Sequence, residues 1–230
     1  MNQRWNHVVT LFVTPLMAAC AIAMAANASA QGAGQFTVKV GAGNMSPKGD
    51  SGDMSAPALP GSKVALGSGT APVLIVGYSL TDNISAELDL GLPYKLKLNG
   101  AGALAGSGQL GTVELLRPSA SIQYRFMPLA SMMRPFVGLG VTYARFQKET
   151  GSGTLTALLN TGGLATTFAI GAKAAATLQA GVAVNVDPRW FADLTVTKST
   201  LKTQITYSTG QTHSVRLDPL AVIVAVGYKF

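Results

Sequence analysis

The sequence predicts an all-β fold: an eight-stranded antiparallel transmembrane β-barrel with short periplasmic turns and long extracellular loops. Three observations lead to this prediction. Charged residues make up only 12% of the 230-residue chain, while 48% of its residues are hydrophobic and 26 are glycine, a composition that suits a protein whose surface is not wholly in water. Apolar residues recur with a period of two in segment after segment. Short and long connections alternate between these segments, which is typical of a barrel that closes in a membrane.

Residues 1–30 have the form of a secretory signal peptide. Arg4 precedes a nearly continuous apolar run over residues 8–26, and the small-residue pattern Ala-Ser-Ala closes the segment. We predict cleavage after this pattern, which leaves residues 31–230 for the barrel; a retained membrane anchor is the alternative. Cys20, the only cysteine, falls within the signal. The exported chain therefore has no disulfide and depends on its core or on a bilayer for stability.

Eight segments have the alternation expected of strands with one apolar face. In the third of them, Ile84, Ala86 and Leu88 share one face and leave the other to small or polar residues. Beyond the signal no stretch approaches the roughly 18 apolar residues of a spanning helix, so strands would have to cross the membrane. The eight segments cover residues 36–42, 72–80, 84–90, 120–126, 135–146, 178–186, 190–196 and 220–230.

The connections between these segments differ in length at the two ends. Those at 81–83, 127–133 and 187–189 are short and carry turn residues such as Asp, Asn and Pro. The connection with a leucine cluster at 155–159 is predicted to form a short helical lid at the extracellular mouth, because loops of that length usually have a function. The long connections, mostly rich in Gly, Ser, Thr and Ala, cover residues 43–70, 92–116, 147–177 and about 200–216.

Aromatic residues mark one boundary of the predicted membrane. They lie on the apolar face, at the strand ends that the short turns join, where amphipathic rings settle at the level of the lipid headgroups. A soluble lipocalin-like barrel or β-sandwich is the alternative, but it would need a charged outer face, and the second face here is small and weakly charged. The predicted girdle consists of Phe36, Tyr78, Tyr124, Phe126, Trp190, Tyr228 and Phe230.

Charged residues on the inward face lie close to the short-turn end. Because an unpaired charge is unfavourable inside a narrow barrel, we predict an ion network that closes the periplasmic end of the lumen; separately solvated charges are the alternative. The predicted network consists of Lys39, Glu87, Arg125, Asp193 and Lys229. The inward positions assigned to the lumen constriction and lining are Asp89, Val73, Ile75, Phe136, Phe146 and Phe191.

Six ordered blocks resemble the outer membrane protein W (OmpW) family. They are FTVKVGAGNMSP at 36–47, LTDNISAEL at 80–88, LRPSASIQYRF at 116–126, RPFVGLGVTY at 134–143, DPRW at 187–190, and RLDP at 216–219 running on to GYKF at 227–230. The resemblance implies an eight-stranded barrel in the outer membrane of a Gram-negative bacterium, with a narrow apolar channel for small, largely hydrophobic molecules. A terminal aromatic strand of this kind resembles the signal that the barrel-assembly machinery reads.

Two positions depart from the family pattern as we align it. Asp89 stands where family members often have an apolar lumen residue, and only small residues lie near Ala174, where a second constriction aromatic is expected. Both departures predict a lumen that is more polar or wider at mid-height.

The expected function is that of a porin-like channel or carrier for small hydrophobic molecules. If the ion network closes the periplasmic end, such a solute would have to leave between strands, into the bilayer. The alternative is a closed structural or receptor barrel, which conducts nothing and whose loops bind partners such as a phage or a colicin.

Other functions find little support in the sequence. His213 and Ser214 are adjacent, so they cannot present the separate roles of a hydrolytic triad to one substrate, and no enzyme, cofactor or metal site is predicted. The basic residues are spread along the chain, which argues against nucleic acid as a partner. We expect a monomer in contact with outer-membrane lipid, and contacts to lipopolysaccharide phosphates from Lys48, Lys63, Lys95 and Lys97.

Overall fold

The structure, a computed structural model, describes residues 32–49, 51–56, 58 and 60–230. The predicted signal peptide lies outside these residues, and its cleavage stays a prediction. The described part contains β1 (Phe36–Ser46), β2 (Ser51–Met54), β3 (Ser62–Leu66), β4 (Gly69–Ser79), β5 (Ile84–Asp89), β6 (Tyr94–Gly102), β7 (Gln109–Leu116), β8 (Ser119–Arg125), β9 (Met133–Gly151), α1 (Gly153–Leu159), β10 (Phe168–Ile170), β11 (Lys173–Asn185), β12 (Trp190–Ser199), β13 (Lys202–Tyr207), β14 (Thr212–Arg216) and β15 (Leu220–Lys229).

Eight of these strands close into an antiparallel barrel. Their order around the ring is β1-β4-β5-β8-β9-β11-β12-β15, and β15 pairs with β1 to complete it. At this closing seam Val38 lies opposite Tyr228, and Val40 lies opposite Val226. The eight strands coincide with the eight segments predicted from the sequence, so the predicted barrel is confirmed.

The alternation of the sequence places side chains on the two surfaces of the barrel wall. Along β12, Phe191 and Asp193 are buried in the lumen, while Leu194 and Val196 are exposed on the outside. On β9, Leu139 exposes 67% of its surface. A continuous apolar belt of this kind is rare on a soluble monomer. The outer wall is therefore suited to the hydrocarbon of a bilayer.

Short turns join the strands at one end of the barrel. In the β4–β5 turn, the Thr81 hydroxyl accepts a hydrogen bond from the backbone N–H of Ile84 at 2.9 Å. In the β11–β12 turn, Asp187 Oδ1 accepts the N–H groups of Trp190 and Arg189, each at 2.7 Å. These two N–H groups hold the pKa of the Asp187 carboxyl below its ordinary value. Side-chain acceptors of this kind fix the turns without a longer loop.

The long connections carry strands that the sequence analysis did not predict. β3, β6, β7 and the second half of β9 form one sheet, and β10, β13, β14 and β2 form another; we call these two sheets the upper tier. β2 and β3 lie beside each other, and an ion pair links them: Lys63 Nζ lies 3.7 Å from Asp53 Oδ1. Where β10 lies beside β9, the Ile170 N–H donates to Glu149 Oε1 at 3.5 Å. The two sheets enclose a common apolar core above the barrel.

A short helix, α1, occupies part of the 147–177 connection, where the sequence predicted one. The Ser152 hydroxyl caps α1 by accepting the Leu155 N–H at 3.2 Å. Leu155 is fully buried in the upper-tier core. Within the described ranges, no helix has the length and apolarity needed to span a bilayer. The action of α1 as a lid stays a prediction.

The apolar core and the polar lumen lie at different levels of the molecule. Leu98 and Leu110 are fully buried in the upper tier. Inside the barrel, a smaller apolar cluster consists of Val73, Ile75 and Ile223. Most of the charged side chains buried in the barrel lie nearer the short turns. The lumen therefore has one apolar level, at Val73, Ile75 and Ile223, and most of its charged side chains lie towards the short turns.

Candidate functional site

A buried ion network fills the lumen near the short-turn end. Lys39 on β1 is fully buried, and its Nζ lies 2.8 Å from each carboxyl oxygen of Glu87 on β5. The same Nζ lies 3.3 Å from Oδ2 of Asp193 on β12. β5 and β12 stand on opposite sides of β1, each two strands away. The lysine therefore ties the two sides of the lumen together.

Further donors complete the hydrogen bonding of both carboxylates. Arg125 Nη2 donates to Glu87 Oε1 at 3.0 Å, and Gln123 Nε2 donates to Glu87 Oε2 at 2.7 Å. The Thr195 hydroxyl donates to Asp193 Oδ1 at 2.6 Å. With two cations and two anions, the network has no net formal charge. Hydrogen bonds of this number and geometry are what make buried charges tolerable in a protein interior.

Two phenylalanine rings pack beside the network. The Lys39 Nζ lies 6.0 Å from the centroid of the Phe136 ring, within the range of a cation–π contact. The ring of Phe136 lies against Gly181, and that of Phe191 lies against Gly227; a Cβ at either glycine would collide with the ring. The two glycines thus give the rings the room to fill the lumen around the charges.

Lys229 lies outside the ion network. Its Nζ donates to Asn185 Oδ1 at 2.7 Å and lies 5.7 Å from the centroid of the Phe191 ring, and no carboxylate of the described chain comes within 4.0 Å of it. The sequence analysis grouped it with Asp193 because β12 and β15 are neighbours. Asp193 lies opposite Ala225, however, four residues and roughly 13 Å along β15 from Lys229. The lysine therefore reaches an amide and no carboxylate.

Asp89 faces the lumen above the network, beside the apolar side chains that the sequence placed there. Its Oδ1 accepts the N–H of Gly91 at 3.0 Å. It lies opposite Ile75 on β4, and both Ile75 and Val73 are buried. The wall at mid-height therefore presents one carboxylate among apolar side chains.

Phe146, predicted as a lumen residue, lies in the upper-tier core. β9 continues beyond the barrel, and there Phe146 lies opposite Leu115 of β7. The sequence analysis could not show where the barrel wall ends along this long strand. Near Ala174, where only small residues were found, Ala175 faces inward and is buried.

Two lumen side chains that the sequence analysis did not assign come from connecting segments. Arg117 precedes β8, and its Nη2 donates to Thr197 Oγ1 on β12 at 3.4 Å; since these strands are three apart around the ring, the side chain crosses the lumen. Tyr94 begins β6, with its ring centroid 6.0 Å from Arg117 Cζ. A Cβ on Gly43 would collide with the Tyr94 hydroxyl. The sequence feature that could have pointed to Arg117 is a basic residue, in Leu-Arg-Pro, directly before a predicted strand segment.

The barrel wall is interrupted between β5 and β8. Asp89 and Ser119 are the last paired residues of these two strands. Above them, residues 90–93 bond to β4 and Pro118 bonds to β9. No backbone hydrogen bond joins 90–93 to 116–118, and the proline in each segment has no N–H to donate. We call this interruption the β5–β8 slit.

An apolar groove lies on the outer wall at the lower end of the slit. It has a volume of about 530 Å³. Leu88 and Ala120, directly opposite each other, both line it just below the last paired residues. The other side chains of its apolar lining include Val76, Tyr78, Ile122, Leu139 and Val141.

The predicted girdle aromatics face outward at the short-turn end. The rings of Phe36 and Tyr78 lie 4.7 Å apart, and the Tyr228 ring lies 4.9 Å from those of both Trp190 and Phe230. Such pairs hold large apolar rings on the outside of the wall, where a lipid interface can cover them. Tyr124 and Phe126 form a further pair, with ring centroids 5.1 Å apart.

Comparison with known proteins shows that the OmpW family matches residues 32–230. The chain belongs to the OmpW family. Outer membrane protein W of Vibrio cholerae serotype O1 is 32% identical over 202 residues, which cover 86% of this chain and 89% of that protein. The OmpW-family fold also matches the crystal structure of outer membrane protein OprG from Pseudomonas aeruginosa, with a TM-score of 0.78, 23% identity and coverage of 88% and 99% of the two chains.

A further relative has a name that concerns metabolism. The dibenzothiophene metabolism operon protein PahQ of Pseudomonas aeruginosa is 26% identical over 175 residues, covering 75% of this chain and 77% of that protein. Membership of the OmpW family places the protein in the bacterial outer membrane. Its outer wall contacts lipid, its short turns face the periplasm, and its upper tier faces outward from the cell.

Proposed function

We propose that this OmpW-family barrel takes up small, largely hydrophobic molecules from outside the cell and releases them sideways into the bilayer. The observation that carries the proposal is the ion network near the periplasmic end. Lys39 ties Glu87 to Asp193 across the lumen, and all three side chains are buried. Separating them would leave charges without partners in a narrow space. A solute therefore has no straight route to the periplasm.

Two apolar regions above the network suit an apolar solute. The upper-tier core is apolar, and below it Val73, Ile75 and Ile223 form an apolar level inside the barrel. The transfer of an apolar solute from water to such surroundings is favourable. The β5–β8 slit opens the wall near this height, and its lower end meets the apolar groove on the lipid side. These features support a route from the lumen to the bilayer.

The name of one relative suggests a class of solute. PahQ is named for an operon of dibenzothiophene metabolism, and dibenzothiophene is an apolar compound of fused aromatic rings. Small aromatic compounds are therefore the first candidates to test.

A reversible cross-link across the slit tests lateral release. We expect that linking Leu92→Cys to Leu116→Cys with a cleavable bifunctional thiol reagent stops uptake of the apolar dye phenylnaphthylamine into cells. A reductant should restore it. The dye fluoresces on reaching the bilayer, so the rate of the fluorescence rise measures uptake. Residues 31–230 contain no cysteine. Once the signal is removed, the introduced thiols are therefore the only ones in this protein that the reagent can link.

The matched control links two outward residues of a continuous part of the wall. Val40→Cys and Leu74→Cys stand directly opposite each other on β1 and β4, away from the slit. This cross-link should leave the uptake rate unchanged. Equal uptake with the slit linked and unlinked would contradict lateral release.

A closed structural or receptor barrel is the second candidate, and a specific feature favours it. Leu155 of α1 is fully buried in the upper-tier core, and Arg117 crosses the lumen below. A barrel filled at both levels would display its upper tier to partners and pass nothing. Dye uptake no faster than in cells without the protein, with the barrel folded, would contradict transport of the dye and favour this second candidate.

A further inference from the structure

The proposed route passes one cluster of buried polar groups that lack partners. Arg117 exposes 6% of its surface and Tyr94 exposes 1%. The Arg117 Nη2 makes one long hydrogen bond, to Thr197 Oγ1 at 3.4 Å. Among the described residues, Arg117 Nε and Nη1 and the Tyr94 hydroxyl make no hydrogen bond of good geometry, although the guanidinium and the phenol lie near enough to interact with each other. Buried N–H and O–H groups nearly always have a hydrogen-bond partner, so three unmet groups in one place indicate a ligand.

The cluster lies at the inner side of the β5–β8 slit. Arg117 belongs to one flank of the slit, and Tyr94 directly follows the other flank, residues 90–93. The Tyr94 hydroxyl reaches across to Gly43 on β1, where the missing Cβ gives it room. A molecule that moves from the lumen to the slit would therefore pass both side chains.

The surrounding charges favour a ligand with one negative charge. The Asp89 carboxylate interacts electrostatically with Arg117 and Tyr94, but it lies more than 4.0 Å from any cation of the described chain. The guanidinium therefore keeps its charge and its free donors. A carboxylate can accept several of these donors together. Asp89 repels any negative charge on the ligand, and this repulsion is greater for a doubly charged group, which disfavours phosphate groups.

We propose that Arg117 and Tyr94 bind the carboxylate of a small monocarboxylic acid with an apolar body, at the entrance to the slit. The proposal rests on the proposed function, because it assigns an anionic class of solute to the same route. The guanidinium supplies charge and N–H donors, and the phenol supplies one O–H donor. The apolar body of the acid lies towards Val73 and Ile75.

Equilibrium binding of benzoate, with benzyl alcohol as its neutral counterpart, tests this site. The protein is placed in lipid nanodiscs, and empty nanodiscs give the background. We expect benzoate to bind roughly tenfold more tightly than benzyl alcohol, because hydrogen bonds to charged groups contribute that much or more. Arg117→Met should abolish this preference and leave the binding of benzyl alcohol unchanged. Tyr94→Phe, which removes only the hydroxyl, should weaken benzoate binding by about threefold.

Lys95→Met is the matched control, since Lys95 adjoins Tyr94 but is exposed, and it should leave benzoate binding unchanged. Arg117→Lys keeps the charge without the planar fork and should bind benzoate with intermediate affinity. If Arg117→Met does not fold, Tyr94→Phe carries the test. Equal benzoate affinity in the wild type, in Arg117→Met and in Tyr94→Phe would overturn the site. Dye uptake separates the carboxylate site from lateral release. Variants that lose benzoate binding should still take up the uncharged dye. If lateral release does not occur, the cross-link across the slit leaves dye uptake unchanged.

Discussion

Glu87 is the carboxylate that both cations of the ion network contact. It accepts hydrogen bonds from Lys39, Arg125 and Gln123. Glu87→Gln keeps the shape of the side chain but removes the charge opposite both cations. Because removal of one partner strands buried charges, we expect the free energy of unfolding to fall by about 3–5 kcal/mol. Unfolding in urea from lipid vesicles, followed by tryptophan fluorescence, measures this change.

The control for Glu87→Gln is Asp53→Asn in the upper tier. Asp53 pairs with Lys63 at 3.7 Å, and both side chains are largely exposed to water. A surface pair of this kind contributes at most about 1 kcal/mol, so the control should unfold almost as the wild type does. An equal, small effect of both substitutions would mean that the ion network contributes little to the stability of the barrel.

At this scale the sequence indicates which residues face inward and roughly how far each lies from the short turns, but not which side chains meet. Lys39, Glu87, Arg125 and Asp193 lie together because their strand positions happen to match across the ring. Lys229 has the same inward direction but a lower position, and the strand register shows that this position keeps it away from Asp193. Arg117, like Tyr94, lies outside the predicted strands, so alternation could not assign it to the lumen.

The elements of the upper tier contain one titratable group that depends on burial. His213 on β14 is almost fully buried, and neither ring nitrogen has a partner within the residues described. Burial lowers its pKa below the ordinary value of 6.5. In the unfolded chain the imidazole takes up a proton as the pH falls through about 6.5. The folded upper tier therefore loses stability from that pH down to the lowered pKa of His213.

Amide hydrogen exchange of β13 and β14 measures this loss. We expect protection to decrease between about pH 7 and pH 5, with a slope of up to about 1.4 kcal/mol per pH unit for one proton. His213→Leu removes the titrating group and should make the protection of these strands independent of pH over that range. His213 is the only histidine in residues 31–230, so no other imidazole can supply the slope. The same slope in the variant would show that another group titrates.

The two sets of strands differ in how far the sequence could predict them. Each barrel strand has an apolar face towards lipid, and that face makes a regular alternation visible in the sequence. Several upper-tier strands are short, and the long connections that contain them are mostly rich in Gly, Ser and Thr, so composition indicated loops there. Alternation in β6, as in Lys95-Leu96-Lys97-Leu98, was present. Membrane barrels commonly have long loops at that end, so this short alternation alone does not distinguish a strand from a loop.

The whole molecule consists of a membrane barrel and an upper tier that are stabilised in different ways. Lipid covers the outside of the barrel, and its lumen contains a neutral ion network. The upper tier depends on an apolar core shielded from water, with Leu98, Leu110 and Leu155 fully buried. We therefore expect the upper tier to open without unfolding of the barrel.

Leu155→Ala tests this independence. It leaves a cavity in the upper-tier core, which typically costs about 2–5 kcal/mol. The upper tier should then open, and trypsin added to intact cells should cut at its lysines while the bilayer protects the barrel strands. Leu158→Ala is the matched control, because Leu158 lies on the same helix but exposes 42% of its surface, and this variant should resist trypsin as the wild type does. Mass spectrometry of the fragments identifies the cut sites, and cuts within barrel strands would show that both parts unfold together.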